Sequence, residues 1–262
     1  MSQGIQIIEH GDVVELKLHF NDLNTMNSDA FLALAKHLEE LRQNKEPSVM
    51  LLTSGAPGFF CNGLDPAIMV DQHHKDVHRT VDILMRSTQA LFQFPIPVVC
   101  VINGNCVGAG AIFALFSDYR FMNSEKGRIG FPEANIGMNF PAAGAKILVD
   151  AVGMNTARDM LYQGKMVKPD QAKQAGLVDE IFPAKDLFDK SLAFAQKLAQ
   201  TPRPALVGLK KGLRLPYEEM FSKMELTDRD STIRTIETKE AQEGFRSVLE
   251  RRRPDFEQFK KG

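Results

Sequence analysis

The chain is short of cysteine, of excess charge and of long apolar runs, and each shortage removes a class of function. Its three cysteines, Cys61, Cys100 and Cys106, are odd in number and show no CxxC spacing. That argues against a disulfide framework and a zinc knuckle and suits a reducing compartment, so a cytoplasmic location is expected. Lys and Arg number 32 and Asp and Glu 33, a net charge of −1. Neither nucleic acid nor an anionic membrane is attracted by such a balance, and any anionic ligand must be gripped by a local cluster. No segment approaches the ~20 apolar residues that span a bilayer. Met1 to Gly11 holds no apolar signal core, and Lys260-Lys261-Gly262 is not a peroxisomal address. Gly104 and Gly108 lack the GxGxxG spacing, and no GxxxxGK[ST], GxSxG or HExxH motif occurs.

What remains is an ordinary globular chain of 262 residues, 44% hydrophobic and 25% charged. That length suits one large domain, or one domain and a small appendage. Ile5–Glu9 and Val13–His19 read as a hairpin around Gly11, the second strand half-exposed because Glu15 and Lys17 alternate with apolar residues. Ser28 or Asp29 can cap a helix to about Asn44. Val49–Thr53 is a short buried strand, Ser54–Asp65 a loop, and a long helix runs from about Val70 to Phe94. Val98–Ile102 is a strand, Gly108–Phe116 a helix and Asp118–Asn123 a strand. Strand-helix alternation to this point indicates an α/β fold of repeated β-β-α units. After Pro141 the pattern is helical, interrupted by an isolated strand at Val178–Phe182. Pro204–Leu213 and Pro216–Glu250 read as separate helices of a C-terminal appendage.

Two glycine-rich turns follow strands: Phe59-Phe60-Cys61-Asn62-Gly63-Leu64-Asp65 and Asn103-Gly104-Asn105-Cys106-Val107-Gly108-Ala109-Gly110. Glycine lets the backbone bend there and leaves N–H groups free at the helix start. One amide from each turn, Asn62 and Ala109, could grip an oxygen that becomes negative during reaction. Each turn alone is also explained by tight helix–strand packing. Glu133 lies in Ile129-Gly130-Phe131-Pro132-Glu133-Ala134-Asn135-Ile136-Gly137, among apolar neighbours that would raise its pKa and make it a better base. A helix-capping glutamate is the plainer alternative.

In this order and spacing, the two turns and the Pro132-Glu133 pair resemble the crotonase (enoyl-CoA hydratase/isomerase) superfamily. The resemblance covers about residues 5 to 255 and is strongest between 58 and 180. It implies a crotonase-like fold, with residues 1–200 as the core domain and 201–262 as a helical trimerisation and lid region. It implies an acyl-CoA thioester substrate with no further cofactor, no metal, and a homotrimer or dimer of trimers. The turns then form the oxyanion hole and Glu133 is the catalytic carboxylate. Family hydratases carry a second glutamate at the position of Ile112. With isoleucine there, the resemblance implies an isomerase that shifts a 3-enoyl-CoA to a 2-enoyl-CoA using one base. The alternatives are a 2-enoyl-CoA hydratase working with Glu133 alone and a catalytically silent acyl-CoA-binding protein. Ile112, Met69, Met138 and Phe140 are expected in the acyl pocket.

Two further clusters stand outside this pattern. Asp71, His74 and His78 fall on one helical face with His73 adjacent, and histidines at i and i+4 can ligate zinc. No third ligand is evident in the sequence. Arg251-Arg252-Arg253 with Lys260 and Lys261 forms a basic tail; a solvated helix end is the default, and CoA phosphates are the alternative ligand.

Overall fold

The computed structural model describes residues 4–260. β1 (Gly4–His10) and β2 (Val13–His19) form the expected antiparallel hairpin, Ile7 opposite Leu16. α1 (Ser28–Gln43) is capped by Asn27, one residue ahead of the expected cap: its Oδ1 accepts the Ala30 N–H at 2.9 Å. Three β-β-α turns follow. β3 (Val49–Ser54) and β4 (Phe59–Cys61) precede α2 (His74–Phe92), and β5 (Val98–Ile102) and β6 (Asn105–Val107) precede α3 (Ala109–Phe116). β7 (Tyr119–Asn123) and β8 (Ile129–Gly130) precede α4 (Ala142–Val152). Then come α5 (Met154–Tyr162), β9 (Met166–Val167), α6 (Pro169–Gln174), β10 (Glu180–Phe182) and α7 (Ala184–Ala199).

Each unit gives its first strand to a six-stranded sheet, β1-β2-β3-β5-β7-β10, and its second to a four-stranded one, β4-β6-β8-β9. The second strands are two or three residues long. Such lengths show no period, which is why β4 and β6 lie inside segments that the sequence marks only as loop or turn. β10 is not isolated: it pairs in parallel with β7, Ile181 beside Met122.

The large sheet is covered on both faces. Leu16, Leu52, Cys100 and Met122 face the main core, while Val13, Leu51, Val99 and Phe121 pack under Leu187 and Ala195 of α7. That second layer buries Glu15, correcting the half-exposed reading of β2. Glu15 is satisfied internally: Thr53 Oγ1 donates to Oε1 at 2.6 Å, and His10 Nε2 lies 2.9 Å from Oε2.

The C-terminal helices also depart from expectation. α8 runs unbroken from Arg203 to Ile236 with Pro216 inside it, and α9 (Lys239–Leu249) begins after a break at Glu237-Thr238. Proline removes one helical hydrogen bond. Packing of the next turns offsets the loss, for Phe221 lies 4.7 Å from the Phe92 ring and 5.7 Å from Phe116. Thr238 makes the real stop, its Oγ1 capping Ala241 N–H at 3.1 Å. Among the described residues no helix is long and apolar enough to cross a membrane.

Candidate active site

The two glycine turns meet. A Cβ added at Gly110 would lie 2.3 Å from the Cys61 carbonyl oxygen. One added at Gly63 would lie 2.8 Å from the Val107 carbonyl oxygen and 3.1 Å from the Ala109 nitrogen. Each turn carries glycine where the other's backbone presses on it, and Gly63 also holds a left-handed φ of 75°.

Which amides remain free is decided by neighbours distant in sequence. Asn62 N–H donates to the Asn24 carbonyl at 3.4 Å, Gly63 N–H to Cys61 Sγ at 3.4 Å, and Asp65 N–H to the Met26 carbonyl at 3.0 Å. Leu64 N–H has no acceptor among the described residues. This corrects the expectation that Asn62 supplies the free amide. The brace is Asn24, buried and left-handed, whose Nδ2 donates to the Phe60 carbonyl at 2.8 Å and the Leu18 carbonyl at 3.2 Å. On the second turn Gly108, with φ 54°, leads into α3, and Ala109 presents the first N–H of that helix. Leading amides of a helix have no acceptor inside it and carry a partial positive charge.

Glu133 sits in a short 3-10 turn, Pro132–Ile136, that three contacts hold still. Gly244 of α9 packs so closely on Ile136 that an added Cβ would lie 2.1 Å from its carbonyl oxygen. Asn135 Nδ2 donates to the Gly164 carbonyl at 3.1 Å. Met138 N–H donates to the Glu133 carbonyl at 2.9 Å. The carboxylate leans towards the second turn, with Oε1 3.5 Å from where a Gly108 Cβ would be. The residue as a whole is half-buried, yet Oε2 is closed off from solvent and has no hydrogen-bond partner among the described residues. Burial pushes the carboxyl up to about 7, a hydrogen bond from its own backbone N–H offsetting only part of the effect.

One cavity of about 210 Å³ joins these groups: Leu64, Gly108, Ala109, Ile112 and Glu133 all line it. Glu133 is the only carboxylate among the described residues on its wall. Ile112 is buried, 7% exposed, and with Met69 and Met138 makes the wall apolar. Phe140 does not line it; its ring packs edge-on against Phe131 at 5.0 Å. Thr232 and Ile236 of α8 and Phe245 and Val248 of α9 also line the cavity. Sequence reasoning missed these four. The apolar spacing of Ala241, Phe245 and Val248 was a usable signal for a buried face of α9.

The enoyl-CoA hydratase/isomerase family model matches residues 9–260. The chain belongs to that family. It is 30% identical over 234 residues to the 2,3-dehydroadipyl-CoA hydratase of Escherichia coli K12, covering 89% of this chain and 90% of the relative. It is 30% identical over 175 residues to enoyl-CoA delta isomerase 3 of Arabidopsis thaliana, covering 65% of this chain and 74% of the relative. The crystal structure of human mitochondrial delta3-delta2-enoyl-CoA isomerase superposes with a TM-score of 0.89 at 25% identity, over 99% of this chain and 100% of that one. The protein is therefore an enzyme of the enoyl-CoA hydratase/isomerase family with a crotonase fold.

The remaining candidates fall elsewhere. Asp71 is not on the helical face with the histidines; it precedes α2 with φ 55° and pairs with Arg246. Arg252 of the basic tail is tied to both Glu243 and Glu250, which holds the Glu243 carboxyl down at about 2 through Arg252 and the Asp255 N–H. Lys260 pairs with Glu257, and Lys261 lies outside the described residues.

Proposed function

We infer that this family member moves the double bond of a 3-enoyl-CoA to position 2. The observation that carries this reading is that Glu133 is the single carboxylate among the described residues lining the cavity, in a wall where Ile112 supplies no second acid. Hydration needs a water held and deprotonated, with a proton delivered to the neighbouring carbon. Isomerisation needs one base. Glu133 takes a proton from C2, and the C–H electron pair flows into the thioester carbonyl to give a dienolate. The Leu64 and Ala109 N–H groups hold its oxygen. The same carboxyl returns the proton at C4 as the electrons shift back, so nothing is gained from or lost to water. An apolar wall around Ile112 keeps water from the dienolate.

A carboxyl poised near neutral pH suits this traffic, because it both accepts and returns the proton readily. Coenzyme A enters as part of the substrate, and no other cofactor has a role in the steps. The hydratase alternative is supported by the Escherichia coli relative. A trimeric assembly is supported by Leu209, Leu213 and Leu215, which α8 leaves 64%, 74% and 58% exposed. The three buried thiols suit a reducing, cytoplasmic setting.

The test is to offer a 3-enoyl-CoA and, separately, a 2-enoyl-CoA. Turnover of the first with little water addition to the second is expected, and Glu133→Gln should lower that turnover by ~10²–10⁴-fold. Faster hydration than isomerisation would assign the enzyme to the other branch.

A further inference from the structure

His74 and His78 sit one turn apart on α2, with ring centroids 4.0 Å from each other. The fold brings them the partner that the sequence hides. Glu237, at the C-terminal end of α8, contacts His74 Nδ1 directly. One ligand atom from each of the three lies within 4.8 Å of the other two.

We propose that His74, His78 and Glu237 form a site for a divalent transition metal ion, with zinc the best chemical match. Two imidazoles and a carboxylate are a three-ligand zinc set that leaves a fourth position for water. Calcium and magnesium prefer all-oxygen sets. Zinc bonds of ~2.0–2.1 Å require tetrahedral ligands ~3.3 Å apart, so the side chains must readjust, His74 and Glu237 parting from direct contact to admit the ion. They have the freedom: the side chains of His74 and Glu237 are 65% and 34% exposed. His78 Nδ1 lies 3.5 Å from Arg229 Nη2, and its Nε2 is sealed from solvent with no partner among the described residues. An orphaned buried imidazole nitrogen is a group that a metal satisfies. The Arg229 charge is already compensated by Asp82 and Asp230.

The position gives the site a consequence. Val81 of α2 and Ile236 of α8 both line the active-site cavity, and they share one apolar cluster with Val77 and Ile233. An ion on the three ligands ties the outer ends of both helices across that cluster. Metal occupancy then controls how readily the wall parts.

Untagged protein stripped with a chelator and titrated with Co²⁺ and then Zn²⁺ tests this. One equivalent of Co²⁺ should bind with visible absorption from a low-coordinate site, and Zn²⁺ should displace it. Zinc should also slow amide exchange across residues 73–80. His74→Ala, His78→Ala and Glu237→Gln should each weaken zinc binding roughly tenfold or more, with metal-free thermal midpoints unchanged. His73→Ala should bind as the parent does. No binding by the parent overturns the proposal. So does binding that survives all three substitutions, or that His73→Ala weakens equally.

Discussion

Asp118, between α3 and β7, and Glu133, after β8, are both enclosed carboxylates, and the protein treats them oppositely. Asp118 is fully answered: Lys210 Nζ lies 2.7 Å from Oδ2, Arg214 Nη2 2.9 Å from Oδ1, and Val98 N–H donates to Oδ2 at 2.8 Å. Burial alone would raise its pKa, but Lys210 and Arg214 outweigh it and hold the carboxyl below its ordinary value. Lys210 also donates to the Ile96 carbonyl at 2.9 Å, and Arg214 lies 4.2 Å over the Phe92 ring. That cluster bolts α8 to the sheet. Glu133 has the burial without the answering cations. One carboxylate is spent on architecture and stays ionised; the other is left unsatisfied and is free to exchange a proton. Placing a charge in an apolar cavity costs stability, and the cost falls at the site where chemistry needs it.

The largest effect should come from removing the unsatisfied acid. Glu133→Gln should lower kcat on a 3-enoyl-CoA by ~10²–10⁴-fold, the range for a lost acid-base group. The same change should stabilise the fold, with a pH signature. The folded pKa is raised from 4.5 to about 7, so folding takes up a proton between those values and native stability falls as pH rises through that window. A neutral glutamine escapes the loss, and its gain in thermal midpoint should be greater at pH 8 than at pH 5. Asp118→Asn should do the reverse. Urea unfolding should show a loss of about 3 kcal/mol, since Lys210 and Arg214 would be left enclosed without their counter-charge. The kcat of the folded protein should be unchanged.

A third substitution sharpens the contrast from the other side. Ile112→Glu returns a second carboxylate to the wall. Water addition to a 2-enoyl-CoA should become measurable while isomerisation falls. Stability should drop by roughly 1–3 kcal/mol as an unpaired polar group enters apolar surroundings. Absence of any hydration, with the variant folded, would show that more than one missing acid separates the two reactions.

Much of this site is legible in the chain. Glu133, Ala109 and Ile112 stand on segments whose glycine and proline spacing marks them, and the cavity unites all three. Leu64 escapes such reading because the choice among four adjacent amides is made by the Cys61 thiol within the turn and by the Asn24 and Met26 carbonyls, which take up two of the amides from a different loop. The repeated units are legible in β3, β5 and β7, whose apolar runs are long enough to count. Their partners β4, β6 and β8 are too short to carry a period. Pro216 misleads because proline is a local signal, and the ring contacts of Phe221 that override it are tertiary. Glu237 is invisible beside His74 and His78 for the same reason: 163 residues separate it from His74, and only the α2–α8 packing joins them.

The most direct test of the contrast is the pH dependence of kcat/KM for a 3-enoyl-CoA. A buried carboxylate without a cationic partner, acting as the base, should give a rate that rises with pH and levels off above a single ionisation near 7. An ionisation in the ordinary carboxylate range near 4.5, or a rate indifferent to pH between 5 and 8, would contradict the role assigned to Glu133.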